Sequence, residues 1–369
     1  MDGKLVFSGN GHFRIMQIAD AQEICMTNPD TVNLIDRALD YAQPDLVVFT
    51  GDQVKAYGVS MVSGDVRAKT KMTIENVLKP LMKRNVRFLF TFGNHDVSNK
   101  CSADFQFMTY KDSGLCLNNS NSAGGYSLFS YKTVYSHDGN MPLFNVYMFD
   151  TGKYDGVSAE QQNEYRKIRD SYKKALPALA FCHIPPIEIY KTAVMSDRHD
   201  KRAFKGAGEF NKNYYKLGDS LYEKGMFMGE NFASIKYDDG FLSALKEKGD
   251  VLGLYFGHDH NNSFVVNCGG IDLGYTQGCG FNTYGPGMKR GVRIFDIEEN
   301  NPDSYSTYTL TAEELFSSKL KRPVTEYVYT HSPSSVSTAV PFVLKRTAVC
   351  ACTALSIGGI YKFYKLKKK

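Results

Sequence analysis

The chain has 369 residues, 43% hydrophobic and 22% charged, the balance of an ordinary folded protein able to bury a sizeable core. The formal charge of +5 is concentrated in Lys362, Lys365, Lys367, Lys368 and Lys369, so the body is close to neutral and a nucleic-acid footprint spread over the fold is excluded. Eight cysteines are scattered without any C-x-x-C spacing, which argues against a zinc ribbon. Cys101–Cys116 and Cys268–Cys279 are the plausible disulfide pairs, but free thiols are expected, since no secretory signal is visible at the N-terminus.

In chain order, residues 14–19 form an apolar, strand-like run that ends at Asp20. Asn28-Pro29-Asp30 is a helix start signal, and Val32, Ile35 and Leu39 follow near helical spacing. A second run, 46–50, closes on Gly51-Asp52, and residues 70–84 form the next helical pattern. Residues 86–92 lead into Gly93-Asn94-His95-Asp96. A charged, Gln-rich helix over 157–175 is expected between a strand ending at Asp150 and the run 178–182, which delivers His183.

Residues 197–231 show little periodicity and predict a long loop over the strand ends, its basic cluster Arg198, Lys201, Arg202 and Lys205 facing solvent. The run 251–256 then closes on Gly257-His258-Asp259-His260. Short runs at 263–268, 271–275 and 291–297, separated by Gly, Asn and Pro, predict antiparallel strands after the strand–helix alternation. The expectation is an α/β fold in which mixed sheets pack as a sandwich flanked by helices.

Residues 1–300 are expected to form this domain, 301–341 an extension and linker, and 342–369 a membrane anchor with a basic tail. Residues 347–361 are uncharged and mostly apolar and lie between Lys345-Arg346 and the terminal lysines. Fifteen helical residues reach about 22 Å, short of the ~30 Å hydrocarbon core, and snorkelling lysines extend that reach. Attachment to a membrane through the C-terminus follows as an expectation, with the terminal lysines resembling an endoplasmic-reticulum retrieval signal and the rest of the chain cytoplasmic. Cys350 and Cys352 are acylation candidates if the anchor is real.

Five strand ends that carry Asp20, Asp52, Asn94 with His95, His183, and His258 with His260 describe a site for two divalent metals. Such a pair clamps the attacking and leaving oxygens of a displacement at phosphorus, and it needs one bridging carboxylate with flanking His, Asp or Asn ligands. Asp52 is the natural bridge. Asp20 and His260 complete one shell, Asn94, His183 and His258 the other, and a hydroxide between the metals is the expected nucleophile. His95 is placed to protonate the leaving oxygen as a general acid, with Asp96 orienting its imidazole.

These signatures resemble the calcineurin-like metallophosphoesterase superfamily, whose pattern is D-x-H, G-D, G-N-H-[D/E], H, G-H-x-H. They occur here in order as Asp20-Ala21-Gln22, Gly51-Asp52, Gly93-Asn94-His95-Asp96, His183 and Gly257-His258-Asp259-His260, covering about residues 12–298. The phrase Phe181-Cys182-His183-Ile184-Pro185-Pro186 looks like the Dcr2 and purple-acid-phosphatase-29-like branch. The resemblance implies a four-layer αββα sandwich of two mixed sheets flanked by helices. It also implies a phosphate-ester substrate and two divalent ions, Mn, Fe or Zn.

Two departures stand out. Gln22 replaces the first-motif histidine, and its carbonyl oxygen as a ligand would favour Mn. A D-x-Q form also occurs in membrane phosphoesterases of glycolipid remodelling, which raises a lipid-linked phosphodiester as an alternative substrate. Lys55 stands where purple acid phosphatases carry a metal-binding tyrosine, and Tyr57 is two residues too late. The rival expectation is a catalytically silent scaffold or binding protein of the same fold at a membrane. Substrate and oligomeric state are not legible.

Overall fold

The computed structural model describes residues 4–57, 61, 63–98, 100–219, 221 and 226–332. The N-terminal part contributes strands β1 (Leu5–Val6), β2 (His12–Ile18), β3 (Leu46–Thr50) and β4 (Phe88–Thr91). The middle adds β5 (Phe129–Tyr135), β6 (Pro142–Phe149), β7 (Ala178–Phe181), β8 (Val194–Ser196), β9 (Phe204–Lys205), β10 (Tyr214–Lys216) and β11 (Phe227–Met228). The last are β12 (Val251–Phe256), β13 (Asn262–Cys268), β14 (Ile271–Tyr275), β15 (Gly291–Glu298) and β16 (Asn301–Thr311).

One sheet runs β16-β15-β2-β3-β4 and the other β1-β5-β6-β7-β12-β14-β13-β11. Strands β2, β3 and β4 are mutually parallel, and so are β6, β7, β12 and β14; β1 also pairs parallel with β5, while β5–β6, β13–β14, β11–β13, β2–β15 and β15–β16 are antiparallel. Both sheets are therefore mixed.

Side chains of a strand alternate between faces, and this splits the core into layers. Ile15, Leu46, Val48 and Leu89 meet Val146, Met148, Leu179 and Phe181 between the two sheets. Met16, Val47, Phe49 and Phe90 point the other way, under helices Pro29–Ala42 and Val66–Arg84. The outer face of the larger sheet is covered by Ala159–Asp170 and Phe241–Lys246 through Tyr165, Phe241 and Leu245. Every residue of β3 is buried, as expected of a parallel strand covered on both faces. The result is the helix–sheet–sheet–helix sandwich the resemblance implied.

The helix start at Asn28 is as the sequence indicates. Asn28 caps the helix by accepting from the Asp30 N–H, Pro29 stands in the first turn, and Leu34, Ile35, Ala38, Leu39 and Ala42 form the buried stripe.

Two expectations need correction. Within 197–231 the chain is not all loop, because β10 pairs antiparallel with both β8 and β9. Strands of two or three residues are too short to show alternation, and aromatic packing of Phe204 and Tyr215 on Tyr190 holds them down. The boundary at 300 also falls inside a hairpin, since β16 pairs with β15 from Thr311 back to Asn301. As an edge strand with one face toward solvent, β16 carries mostly polar residues and therefore looks like linker.

Beyond β16 the chain turns back over the domain. The buried Asp30 carboxylate accepts the backbone N–H groups of Lys321 and Arg322, both at 2.8 Å, at the start of helix Pro323–Thr330. Among the described residues no disulfide joins Cys101 to Cys116 or Cys268 to Cys279. No helix of the described residues is long and apolar enough to cross a membrane. The expected anchor at 342–369, with Cys350 and Cys352, lies outside the described residues.

Candidate metal centre and active-site pocket

The C-terminal ends of β2, β3, β4, β7 and β12 open on one edge of the sandwich, and each carries one of the polar signatures just past its last residue. Leaving a strand toward a common point requires sharp turns. Asp20, Gln22, Asp52 and His258 adopt positive φ of 52°, 35°, 55° and 72°. Such backbone costs about 1–3 kcal/mol per non-glycine residue and gathers at functional sites. The glycines make room: a Cβ at Gly51 would strike the His183 ring, and one at Gly93 the Asp52 carboxylate.

Asp52 stands at the centre. Its carboxylate accepts from the His95 backbone N–H at 2.8 Å and from Gln22 Nε2 at 3.0 Å, with His183 Nε2 3.5 Å away. His183 Nε2 also faces Asn94 Oδ1 at 3.0 Å and His258 Nδ1 at 3.2 Å. One ligating atom each from Asp52, His183 and His258 falls within a sphere that a metal ion could occupy. Burial opposes ionisation of Asp52, but the surrounding imidazoles outweigh it and hold the acid far below the usual carboxylate range. Burial likewise opposes protonation of His183, yet the Asp52 charge raises it to about 10. Burial and the His183 charge push His258 well below its ordinary value.

The second half of the site shows a need for a cation directly. Asp20 Oδ1 is buried without a hydrogen-bond partner, and His260 Nε2 lies 3.3 Å from it. His260 Nδ1 is engaged by the Tyr284 carbonyl at 2.8 Å, which leaves a lone pair on Nε2 in the neutral ring. Only a proton or a cation between these atoms relieves their repulsion, so the residues fit a metal. Each imidazole is also oriented from behind: His183 Nδ1 by the Thr50 carbonyl at 2.8 Å and His258 Nε2 by the Tyr154 hydroxyl at 2.9 Å.

The model of the family described as calcineurin-like phosphoesterase matches residues 13–262 of this chain. The chain belongs to that family. Among curated relatives of this calcineurin-like chain, "Probable inactive purple acid phosphatase 14" of Arabidopsis thaliana is 25% identical, over 80% of this chain and 77% of its own length. "Phosphatase DCR2" of Saccharomyces cerevisiae is 23% identical over 85% of this chain, which spans 56% of that protein. Among solved structures, a dimetal phosphatase from Danio rerio superposes with a TM-score of 0.48 at 15% identity, covering 81% of this chain and 99% of that one.

Within this calcineurin-like frame Asp20, Asp52, Asn94, His95, His183, His258 and His260 lie close together at one edge of the sandwich. Asp96 does not orient His95. Its carboxylate instead collects backbone N–H groups of Asp52 at 2.7 Å, Val54 at 2.9 Å, Gly93 at 3.0 Å and Gln53 at 3.4 Å. The short helix Asn94–Ser98 turns the Asp96 side chain back under the loop after β3, while His95 faces outward. Gln22 also departs from expectation: its NH₂, not its carbonyl oxygen, faces Asp52 and His260, the latter at 3.1 Å. The oxygen instead accepts from the Thr283 and Tyr57 hydroxyls at 2.7 and 3.3 Å. Lys55 turns away to the Asn282 carbonyl at 2.7 Å and stacks between the Tyr57 and Tyr329 rings.

The centre opens into a cavity of about 720 Å³ with Tyr57, Tyr154, Phe232, Tyr284 and Tyr329 in its walls and Glu230 on one side. These wall residues escape sequence reasoning because no motif contains them. Tyr284 and Tyr329 lie beyond the residues the family model matches. The positive φ of Tyr154, 76°, marks it, but only in three dimensions.

Proposed function

We propose that this chain is a metal-dependent phosphoesterase hydrolase that cleaves phosphate esters with two divalent ions. The observation that carries the reading is the Asp52 carboxylate ringed by His183 and His258, with His95 at the edge of the aromatic-walled cavity. Two cations held there would draw charge from the phosphoryl oxygens and make water acidic enough to attack phosphorus near neutral pH. Asn94, His183 and His258 would hold one ion, Asp20 and His260 the other, and Asp52 would serve both. Asp96 and the backbone carbonyls of Thr50 and Tyr284 hold these groups in place.

His95 is the acid. Its Nε2 lies 3.8 Å from Asp52 and its ring is 5.0 Å from that of Tyr57, so it reaches the cavity from a fixed position. Burial lowers its pKa, with the Asp52 charge opposing, which makes it a readier proton donor once an anionic phosphoryl group favours the imidazolium. The proton on Nε2 then passes to the leaving oxygen as its bond to phosphorus breaks.

Hydrolysis of p-nitrophenyl phosphate and bis-p-nitrophenyl phosphate with added Mn²⁺ tests the proposal. Turnover should depend on metal and be lost in Asp52→Asn together with metal binding. Absence of both turnover and bound metal refutes it. The second reading, a silent scaffold of the same fold, draws on Gln22 turning N–H groups toward the centre; it would bind metal without turnover of either compound.

A further inference from the structure

Gln22 has a side-chain amide whose two ends face different chemistry. On one end stand Asp52 Oδ2 at 3.0 Å and His260 Nε2 at 3.1 Å. An ionised carboxylate only accepts, so Asp52 requires a donor, and in the neutral ring His260, with Nδ1 engaged by the Tyr284 carbonyl, accepts as well. On the other end stand the hydroxyls of Thr283 and Tyr57, which donate to Oε1. The four contacts leave one consistent orientation, with NH₂ toward the centre. Apart from Tyr57 these groups are buried: Gln22, Asp52, His260 and Thr283 are each at most 1% exposed.

The consequence lies in where those N–H groups sit. They occupy the lone pairs of Asp52 Oδ2 and His260 Nε2 that a cation beside Asp20 would need. Asp20 Oδ1, the third donor atom of that position, is left without a partner. At the other position no amide N–H stands among the ligand atoms: Asn94 Oδ1, His183 Nε2 and His258 Nδ1 face one another directly. A cation entering beside Asp20 and His260 must first break two buried hydrogen bonds. It must then displace the amide from both atoms, and the amide brings no ligand in exchange while its oxygen stays on Thr283 and Tyr57.

We infer that Gln22 makes the two metal positions unequal: the ion on Asp52, Asn94, His183 and His258 binds tightly, and the ion on Asp20 and His260 binds weakly. This inference rests on the two-metal reading of the site. It assigns Gln22 as a positioning residue that sets how much metal the chain carries at a given concentration.

The test is Mn²⁺ titration of the metal-stripped full chain by calorimetry, with electron paramagnetic resonance to detect coupling between paired ions. The wild-type chain should bind one ion and then a second at least about tenfold more weakly, with the coupled-pair signal appearing only in the second step; tenfold corresponds to about 1.4 kcal/mol. Gln22→Leu removes the competing N–H groups without adding a ligand or a charge and should tighten the second step. Gln22→His replaces the amide with an imidazole and should bring the two steps together. Two equal steps in the wild-type chain overturn the inference and leave the two-metal reading standing. Weakening of the second step in Gln22→Leu also overturns it, because that outcome means the amide oxygen is a ligand. No bound Mn²⁺ in any form refutes the two-metal reading itself. A circular-dichroism melt of each variant ensures that these are comparisons between folded chains.

Discussion

Replacing Asp96 by asparagine distinguishes a residue that tunes His95 from one that builds the loop beneath the metals. In the native site one oxygen accepts from Asp52 and Gly93 at 2.7 and 3.0 Å, and the other from Val54 at 2.9 Å. An amide can present its oxygen to only one of these sets. The better choice keeps Asp52 and Gly93 and sets an NH₂ against the Val54 N–H, orphaning a buried donor at about 1–3 kcal/mol. The remaining bonds also lose their charge-assisted strength. Against this, burial and the Asp52 charge raise the Asp96 pKa to about 7, so a neutral group recovers part of the loss. The net expectation is a destabilisation of about 2–3 kcal/mol in urea unfolding. Because the same N–H groups place Asp52, calorimetry should also show Mn²⁺ affinity falling by about 10–100-fold, as outer-shell changes typically do. Unchanged stability and metal affinity, with only kcat reduced, would restore the role expected from sequence and refute the loop-building account.

His95→Ala should retain bound metal but lose about 10²–10⁴-fold in kcat on an alkyl phosphate. It should lose much less on p-nitrophenyl phosphate, whose leaving group needs no proton; equal losses on both would argue against general-acid catalysis. Tyr154→Phe removes the hydroxyl 2.9 Å from His258 Nε2 and should weaken the tighter Mn²⁺ step by about tenfold without altering the weaker one, as read by calorimetry. Glu23 is held by Thr31, Asn28 and Asn282, yet burial raises its pKa from 4.5 to about 7. The folded chain therefore binds its proton more tightly than the unfolded one, and stability should fall as pH rises from about 4.5 to about 7, by up to about 3 kcal/mol. Glu23→Gln should flatten that slope in thermal melts, and parallel curves would contradict the assignment. Asp30→Ala frees the Lys321 and Arg322 N–H groups and should expose the chain around 316–322 to limited proteolysis while the domain stays folded.

Much of the site was legible in one dimension because its information is local. An apolar run that stops at Gly51-Asp52 or Gly93-Asn94-His95 encodes both a buried strand and what stands at its end, and parallel strands bring their ends to one edge. The order of five such endings was enough for the fold class and for the residues around Asp52. Local reading failed where a side chain's neighbour decides its role. Asp96 adjoins His95 in sequence, yet the turn of a short helix sends the two in opposite directions. The motif position of Gln22 suggests an oxygen ligand, and only its contacts with Thr283 and Tyr57 show which end of the amide faces inward. Tyr154 and His258 are 104 residues apart, and Lys55 meets Tyr329 across 274. Periodicity carries no trace of such pairs, since they depend on how the two sheets pack and where the chain returns after β16. The sequence by itself determined which chemical groups reach the edge of the sandwich; the packing of distant segments decided how each is oriented, because a hydrogen bond depends on the partner's position in space.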